Sequence, residues 1–352
     1  MSHITYLEAA VVGLVQGVTE LFPVSSLGHN VLIPALIGGS WASDLNVARP
    51  ESPYLAFIVG LHVATALALL VYFWQDWLRI IGGFFSSLRL RRTRPWLRLD
   101  TRDQKLAWMI ILATIPVGIV GLLAEHPFRV IFGKPIYAAV FLIVNGVILY
   151  CGEKFRTSRS VQADRAAAAQ RAEEQQLVSA GSAEPGMTTR PGQPPGRHQA
   201  ATRAPSHQAV RQEEVALAER ADERLSRVGY PQAVLIGAAQ ILALLAGISR
   251  DGVTMVAGMF SGLSREDAAR FAFLLATPVI LAAGVLKVPD LTGPLGNGIH
   301  GQILVGSVLS FIGAYVSVRF LMKYFQTRTL TPFAIYCFVV GAGSVIYLGL
   351  IK

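Results

Sequence analysis

Charged residues are scarce in this chain. They make up 15% of its 352 positions, where a soluble domain carries about a quarter. Much of that charge sits in two polar stretches, so the rest is poorer still. With 53% hydrophobic residues and a mean hydropathy of +0.48, this composition excludes an ordinary soluble domain and indicates a polytopic membrane protein. Cysteine is almost missing. Cys151 and Cys337 both lie in apolar segments, which excludes a disulfide framework and a cysteine-based metal site. Met1 to Glu8 carry no cationic start, and no small-residue cleavage site follows. No cleaved leader is therefore expected. The net charge of +9 is not read as nucleic-acid binding, because most arginines flank apolar runs as the positive-inside rule requires.

What is abundant is apolar sequence of spanning length, about 17–25 residues. Six segments qualify: 54–74, 106–124, 135–152, 267–286, 302–322 and 332–351. Two more, 5–38 and 230–263, are apolar but broken by Phe22-Pro23-Val24-Ser25-Ser26-Leu27-Gly28 and Ala246-Gly247-Ile248-Ser249-Arg250-Asp251-Gly252. Each half is too short to span. Irregular backbone at membrane depth survives only when buried in protein or lining a watery cavity, so both are predicted to be re-entrant helix hairpins. The breaks also align without gaps: Gly13 with Gly237, Gln16 with Gln240, Ser25 with Ser249, Gly28 with Gly252. One hairpin plus three spans is an odd number of crossings, so the second copy is expected inverted. The predicted fold is an all-α polytopic membrane protein with repeats 1–152 and 230–352. Residues 153–229 form a polar linker, expected to be disordered at its centre with helical flanks near 160–178 and 210–228.

Segment 75–105 carries Arg79, Arg89, Arg91, Arg92, Arg94, Arg98, Arg102 and Lys105 and is read as a cytoplasmic loop. Loops 39–53, 125–134 and 287–301 then fall outside, with His126 and His300 solvated in them. Tyr54, Trp74 and Trp77 are read as interface anchors.

Polar groups inside hydrocarbon are functional by default. Glu20 follows Gln16 by one helical turn, and Pro23 ends that helix. Ser25 and Ser26 occupy the loop, with Ser26 able to cap the next helix. Gly28 permits close approach, and His29 follows. The second hairpin offers Ser249, Arg250, Asp251, Gly252 and Thr254. Arginine's planar fork suits phosphate, and a helix start adds N–H donors. A carboxylate, a histidine, serines and an arginine together suit phosphoryl transfer.

Pro23 to His29 and Gly247 to Thr254 closely resemble the two motifs of the bacterial undecaprenyl-diphosphate phosphatase, or bacitracin-resistance, family. Leu61-His62-Val63-Ala64-Thr65 resembles a third segment. The resemblance covers the chain outside 153–229. It implies an integral inner-membrane phosphatase acting on a polyprenyl diphosphate lipid for cell-wall synthesis, with its site open to the outer face. It marks Glu20, Ser26, His29 and Arg250 as catalytic and Ser25, Gly28, Ser249, Gly252 and Thr254 as phosphate-binding. It also implies dependence on Mg²⁺ or Ca²⁺, with Glu20 as the metal ligand. Whether Ser26 or His29 attacks phosphorus stays open, and a homodimer is compatible with the sequence. Two positions depart from the family pattern. Gln16 stands where glutamate is usual, and Asp251 where serine is usual. Together with His62 they are read as modulating residues. Type-2 phosphatidic acid phosphatases are excluded, since no histidine follows Ser249-Arg250 at the spacing they need. The rival from another class is a polyprenyl-phosphate transporter or flippase, whose architecture also uses broken helices.

Overall fold

The computed structural model describes residues 4–46, 53–93, 101–181, 223–293 and 298–350. Among them every regular element is helical. The elements are α1 (Tyr6–Leu21), α2 (Ser26–Ile37), α3 (Gly39–Asp44), α4 (Pro53–Tyr72), α5 (Trp74–Thr93), α6 (Arg102–Phe132), α7 (Pro135–Gly181), α8 (Tyr230–Ala238), α9 (Arg250–Phe260), α10 (Arg265–Thr292), α11 (His300–Thr327) and α12 (Thr331–Leu350). A 3₁₀ segment, Ala239–Leu244, extends α8. Five of these helices are long and apolar enough to cross a membrane, and α4 with α5 makes a sixth when counted as one bent span. This is a multi-pass membrane protein.

Two compact units divide the chain, Met1–Glu153 with Ala221–Lys352, and Lys154–Arg220. In the second unit the described residues, 154–181, continue α7, which covers the expected helical flank at 160–178. The expected disordered centre of the linker, and the second expected helical flank as far as residue 222, lie outside the described residues. In the first unit the ends of the polar stretch are held by packed charges. Glu153 is buried, pairs with Arg265 and accepts the Leu330 N–H at 3.1 Å. Arg224 forks onto Asp267 with both bonds at 2.7 Å.

Both apolar segments that looked broken are helix–break–helix units. In the first, Phe22 takes extended backbone (φ −67°, ψ 140°), the conformation that a following proline imposes, and α1 stops there. Phe22 fastens this end by stacking on Phe320 at 5.9 Å and meeting Phe333 edge-on at 5.6 Å. Small residues set the packing around it. A Cβ on Gly17 would stand 2.9 Å from Ser310 Cα, and one on Gly237 2.6 Å from the Ala113 carbonyl carbon. So α1 beds on α11 and α8 on α6 backbone to backbone, the small-residue contact that drives helix association in lipid.

Several sequence expectations are corrected. Residues 75–105 are not a plain loop. Helix α5 begins after an 85° bend from α4. Its Trp74, Leu78, Ile81, Phe85 and Leu88 recur at helical spacing and are exposed, an apolar stripe hidden by the intervening arginines. Helix α6 runs through most of the loop placed at 125–134 and includes His126, while His300 opens α11. Tyr54 is no interface anchor. It is fully buried and donates its hydroxyl to the Asn30 carbonyl at 3.2 Å.

Candidate active site

The breaks of the two hairpins meet each other. A Cβ on Gly28 would stand 2.9 Å from Gly247 Cα, so glycine at this point is what lets the tips touch. Ser25, not Ser26, is the N-cap of α2. It has φ +70° and ψ 100°, a conformation non-glycine residues rarely adopt and one that gathers at functional sites. There its Oγ accepts both the Gly28 N–H and, across the junction, the Gly247 N–H, each at 3.2 Å. Ser249 caps α9 in the same way, accepting from Gly252 N–H at 3.1 Å. Asn145 of α7 locks the tips together. Its Nδ2 donates to the Pro23 carbonyl at 2.9 Å, and its Oδ1 accepts the Ser249 N–H at 3.0 Å.

Because Ser25 takes the cap, the Ser26 hydroxyl is free for another partner, and it donates to Glu20 Oε2. Glu20 collects the rest of the cluster. Gln16 Nε2 donates to the same oxygen at 2.7 Å, and Arg250 Nη2 pairs with Oε1. The His62 Nε2 stands 3.5 Å from Oε2. Asn30 Nδ2 in turn donates to Gln16 Oε1 at 2.6 Å and orients that amide. Arg250 lies between two carboxylates, since its Nε faces Asp251 Oδ1 at 3.7 Å. Among the described residues neither Asp251 oxygen has a hydrogen-bond donor within reach, its neighbour being the Arg250 guanidinium. The side chains of Glu20, Arg250 and His62 are 3%, 16% and 27% exposed. His62 and the guanidinium are thus more accessible than the carboxylate. The cluster can bind phosphate oxygens at Arg250 and can move the Ser26 proton to Glu20.

A family model described as "Bacitracin resistance protein BacA" matches residues 9–182 and 208–343. The chain belongs to the BacA family. Curated relatives agree in length. An "Undecaprenyl-diphosphatase" of Mycolicibacterium paratuberculosis is 54% identical over 349 residues, 99% of each chain. "Undecaprenyl-diphosphatase 1" of Frankia casuarinae is 51% identical over 376 residues, 99% of this chain and 100% of the relative. "Undecaprenyl-diphosphatase 2" of Burkholderia orbicola is 38% identical over 329 residues, 93% and 91% respectively.

Both motifs that carried the BacA resemblance in the sequence flank the junction. Gln16, Glu20, Ser26, His62 and Arg250 come together directly, and Ser25, Gly28 and Ser249 build the frame. Three residues make other bonds. Thr254 donates its hydroxyl to the Arg250 carbonyl at 2.7 Å, and the Gly252 N–H is spent on Ser249. His29 hydrogen-bonds to Ser25 and to Tyr336. For a metal the donor set is poor. Both Glu20 oxygens are engaged, Gln16 brings no charge, and among the described residues no group of three or more His, Cys, Asp or Glu could hold an ion. Mg²⁺ and Ca²⁺ take several oxygen ligands, carboxylates foremost, and Glu20 is already paired with Arg250, so these side chains by themselves fit a resident Mg²⁺ or Ca²⁺ poorly. Sequence reasoning missed Asn30 and Tyr336. Asn30 carried a signal, being a polar residue beside His29 in an apolar helix. Tyr336 carried none, being 307 residues from the histidine it meets.

Proposed function

We propose that this chain is an undecaprenyl-diphosphate phosphatase of the bacterial plasma membrane, releasing the monophosphate lipid and inorganic phosphate. The observation that carries the reading is the Ser26–Glu20–Arg250 chain at the junction of the hairpins. The relatives' names favour hydrolysis over the flippase alternative.

In this reading the terminal phosphoryl group enters past His62 and takes the Arg250 fork, whose paired charge-assisted bonds suit phosphoryl oxygens. Glu20, relieved of its cation, takes the Ser26 proton. Ser26 Oγ bonds to the terminal phosphorus as the bridging P–O bond breaks, and the lipid monophosphate leaves with that electron pair. Water then attacks the phosphoserine and gives one proton to His29, while Glu20 returns its proton to the departing Ser26 Oγ, so phosphate leaves with the serine hydroxyl restored. His29, one turn beyond Ser26 on α2, is the second proton carrier. A divalent cation enters this scheme only as a companion of the diphosphate, and no step runs through it.

Rapid quenching with substrate labelled in the terminal phosphate tests the nucleophile. Label is expected on Ser26 and absent from Ser26→Ala. Label on His29 instead would exchange the two roles. The arginine bias supports a further placement: hairpins inverted relative to each other, residues 75–105 and the linker cytoplasmic, and the site open to the outer face. Single cysteines in the linker of intact cells should resist a membrane-impermeant thiol reagent. Modification there reverses the orientation.

A further inference from the structure

Both ring nitrogens of His29 are committed. Nδ1 lies 2.7 Å from the Ser25 carbonyl oxygen. A carbonyl only accepts, so in the neutral ring Nδ1 carries the proton and Nε2 keeps the lone pair. Nε2 is 2.7 Å from the Tyr336 hydroxyl, which therefore donates to it. The two rings also stack, with centroids 5.7 Å apart and planes 14° from parallel. His29 is 4% exposed and Tyr336 41%, so the tyrosine stands between the imidazole and the surroundings of the protein. The next residue of α12, Cys337, accepts a hydrogen bond from Asn145 at 3.3 Å, and Asn145 is the residue that locks the hairpin tips. One turn of α12 thus touches both the tip lock and the histidine, from outside either hairpin.

We infer that Tyr336 is a positioning residue for the hydrolysis. It holds the His29 lone pair in a fixed direction and covers it until a phosphoryl group arrives. The inference rests on the phosphatase reading, in which His29 carries a proton through Nε2. A ring held by hydrogen bonds at both nitrogens and by a stacked face keeps one tautomer and one orientation, which is what proton transfer at a set distance needs. Partial exposure lets the tyrosine swing clear where His29 cannot.

Two variants of the full-length protein separate this from plain packing. Tyr336→Phe keeps the stacked ring and loses the donor. It should lower kcat about tenfold, the scale of one such hydrogen bond, with KM little changed. Tyr336→Ala removes the cover as well. Carbethoxylation of His29 by diethylpyrocarbonate, mapped by mass spectrometry, should then run several-fold faster than in the unmutated protein, a change that the loss of a remote packing contact would not produce. Unchanged kcat in Tyr336→Phe, or an unchanged His29 modification rate in Tyr336→Ala, overturns the inference. If the unmutated protein releases no phosphate, it is the phosphatase reading that fails, and the modification rates still decide whether Tyr336 covers the ring.

Discussion

Asn145→Leu removes the two hydrogen bonds that tie the hairpin breaks together while keeping the side chain's size. Asn145 is fully buried. Its loss strands the Pro23 carbonyl, left among the described residues with a Cys337 thiol at 4.0 Å, and the Ser249 N–H. A buried polar group without a partner costs about 1–3 kcal/mol, so two of them would cost about 2–6. Side-chain bonds between helices in lipid average only about 0.6 kcal/mol, because the unfolded segments find partners too. Here both stranded groups are backbone atoms in non-helical tips, where no helical partner replaces the lost one. The higher range should therefore prevail, near about 3 kcal/mol. Activity should fall further than stability alone dictates, since misplacing Ser26 relative to Arg250 by about 1 Å is worth about 10²-fold. Asn145→Asp keeps the acceptor for Ser249 and sets an oxygen against the Pro23 carbonyl, so it should be no better than leucine. Equilibrium unfolding in mixed micelles, with phosphate release on the same samples, reads both effects. Unchanged unfolding and turnover in Asn145→Leu would refute the claim that this residue assembles the site.

Arg250→Lys keeps the charge and loses the fork, so kcat should drop about 10²-fold or more, the scale of one preorganised transition-state donor; near-normal phosphate release would make Arg250 a structural partner of Glu20. Gln16→Glu sets a second carboxylate against Glu20 Oε2, where the amide now donates at 2.7 Å, so activity should fall in chelator and recover with added Mg²⁺; equal rates with and without the cation would refute this. If Asp251 stands in for the glutamate missing at position 16, Asp251→Ser should be impaired and rescued by Gln16→Glu, with a coupling well above the roughly 0.5 kcal/mol seen for independent sites; simple additivity ends that idea. Gly28→Ala would drive a Cβ to 2.9 Å from Gly247 Cα and should part the tips, lowering turnover sharply; a variant with normal turnover would show that the tips can separate without harm.

Much of this architecture was legible because it rests on local rules. Pro23 stops a helix wherever it stands, and span length follows from hydrocarbon thickness, so the hairpins and long helices could be placed from sequence. Helix α5 was hidden because its arginines lower the average hydropathy that reveals a span, while its apolar stripe appears only at helical spacing. The site was legible by residue type and not by role. Glu20, Ser26 and Arg250 announced themselves as polar groups in apolar helices. That Ser25 and not Ser26 caps α2 depends on one positive φ, which no propensity favours for serine. Tyr336 acts through the packing of a helix 307 residues from His29, and a single sequence carries no trace of that.

In the proposed hydrolysis Glu20 is the carboxylate that receives the Ser26 proton while Arg250 binds the phosphoryl group. Its most direct test is the rate of inorganic phosphate release from undecaprenyl diphosphate by purified full-length protein, compared with Glu20→Gln. The amide keeps the shape and a hydrogen bond to Ser26 but cannot take a proton at neutral pH. Steady release is expected from the unmutated protein, and a loss of about 10²–10⁴-fold in the variant, the range for a positioned general base. Release by Glu20→Gln at close to the unmutated rate would contradict it.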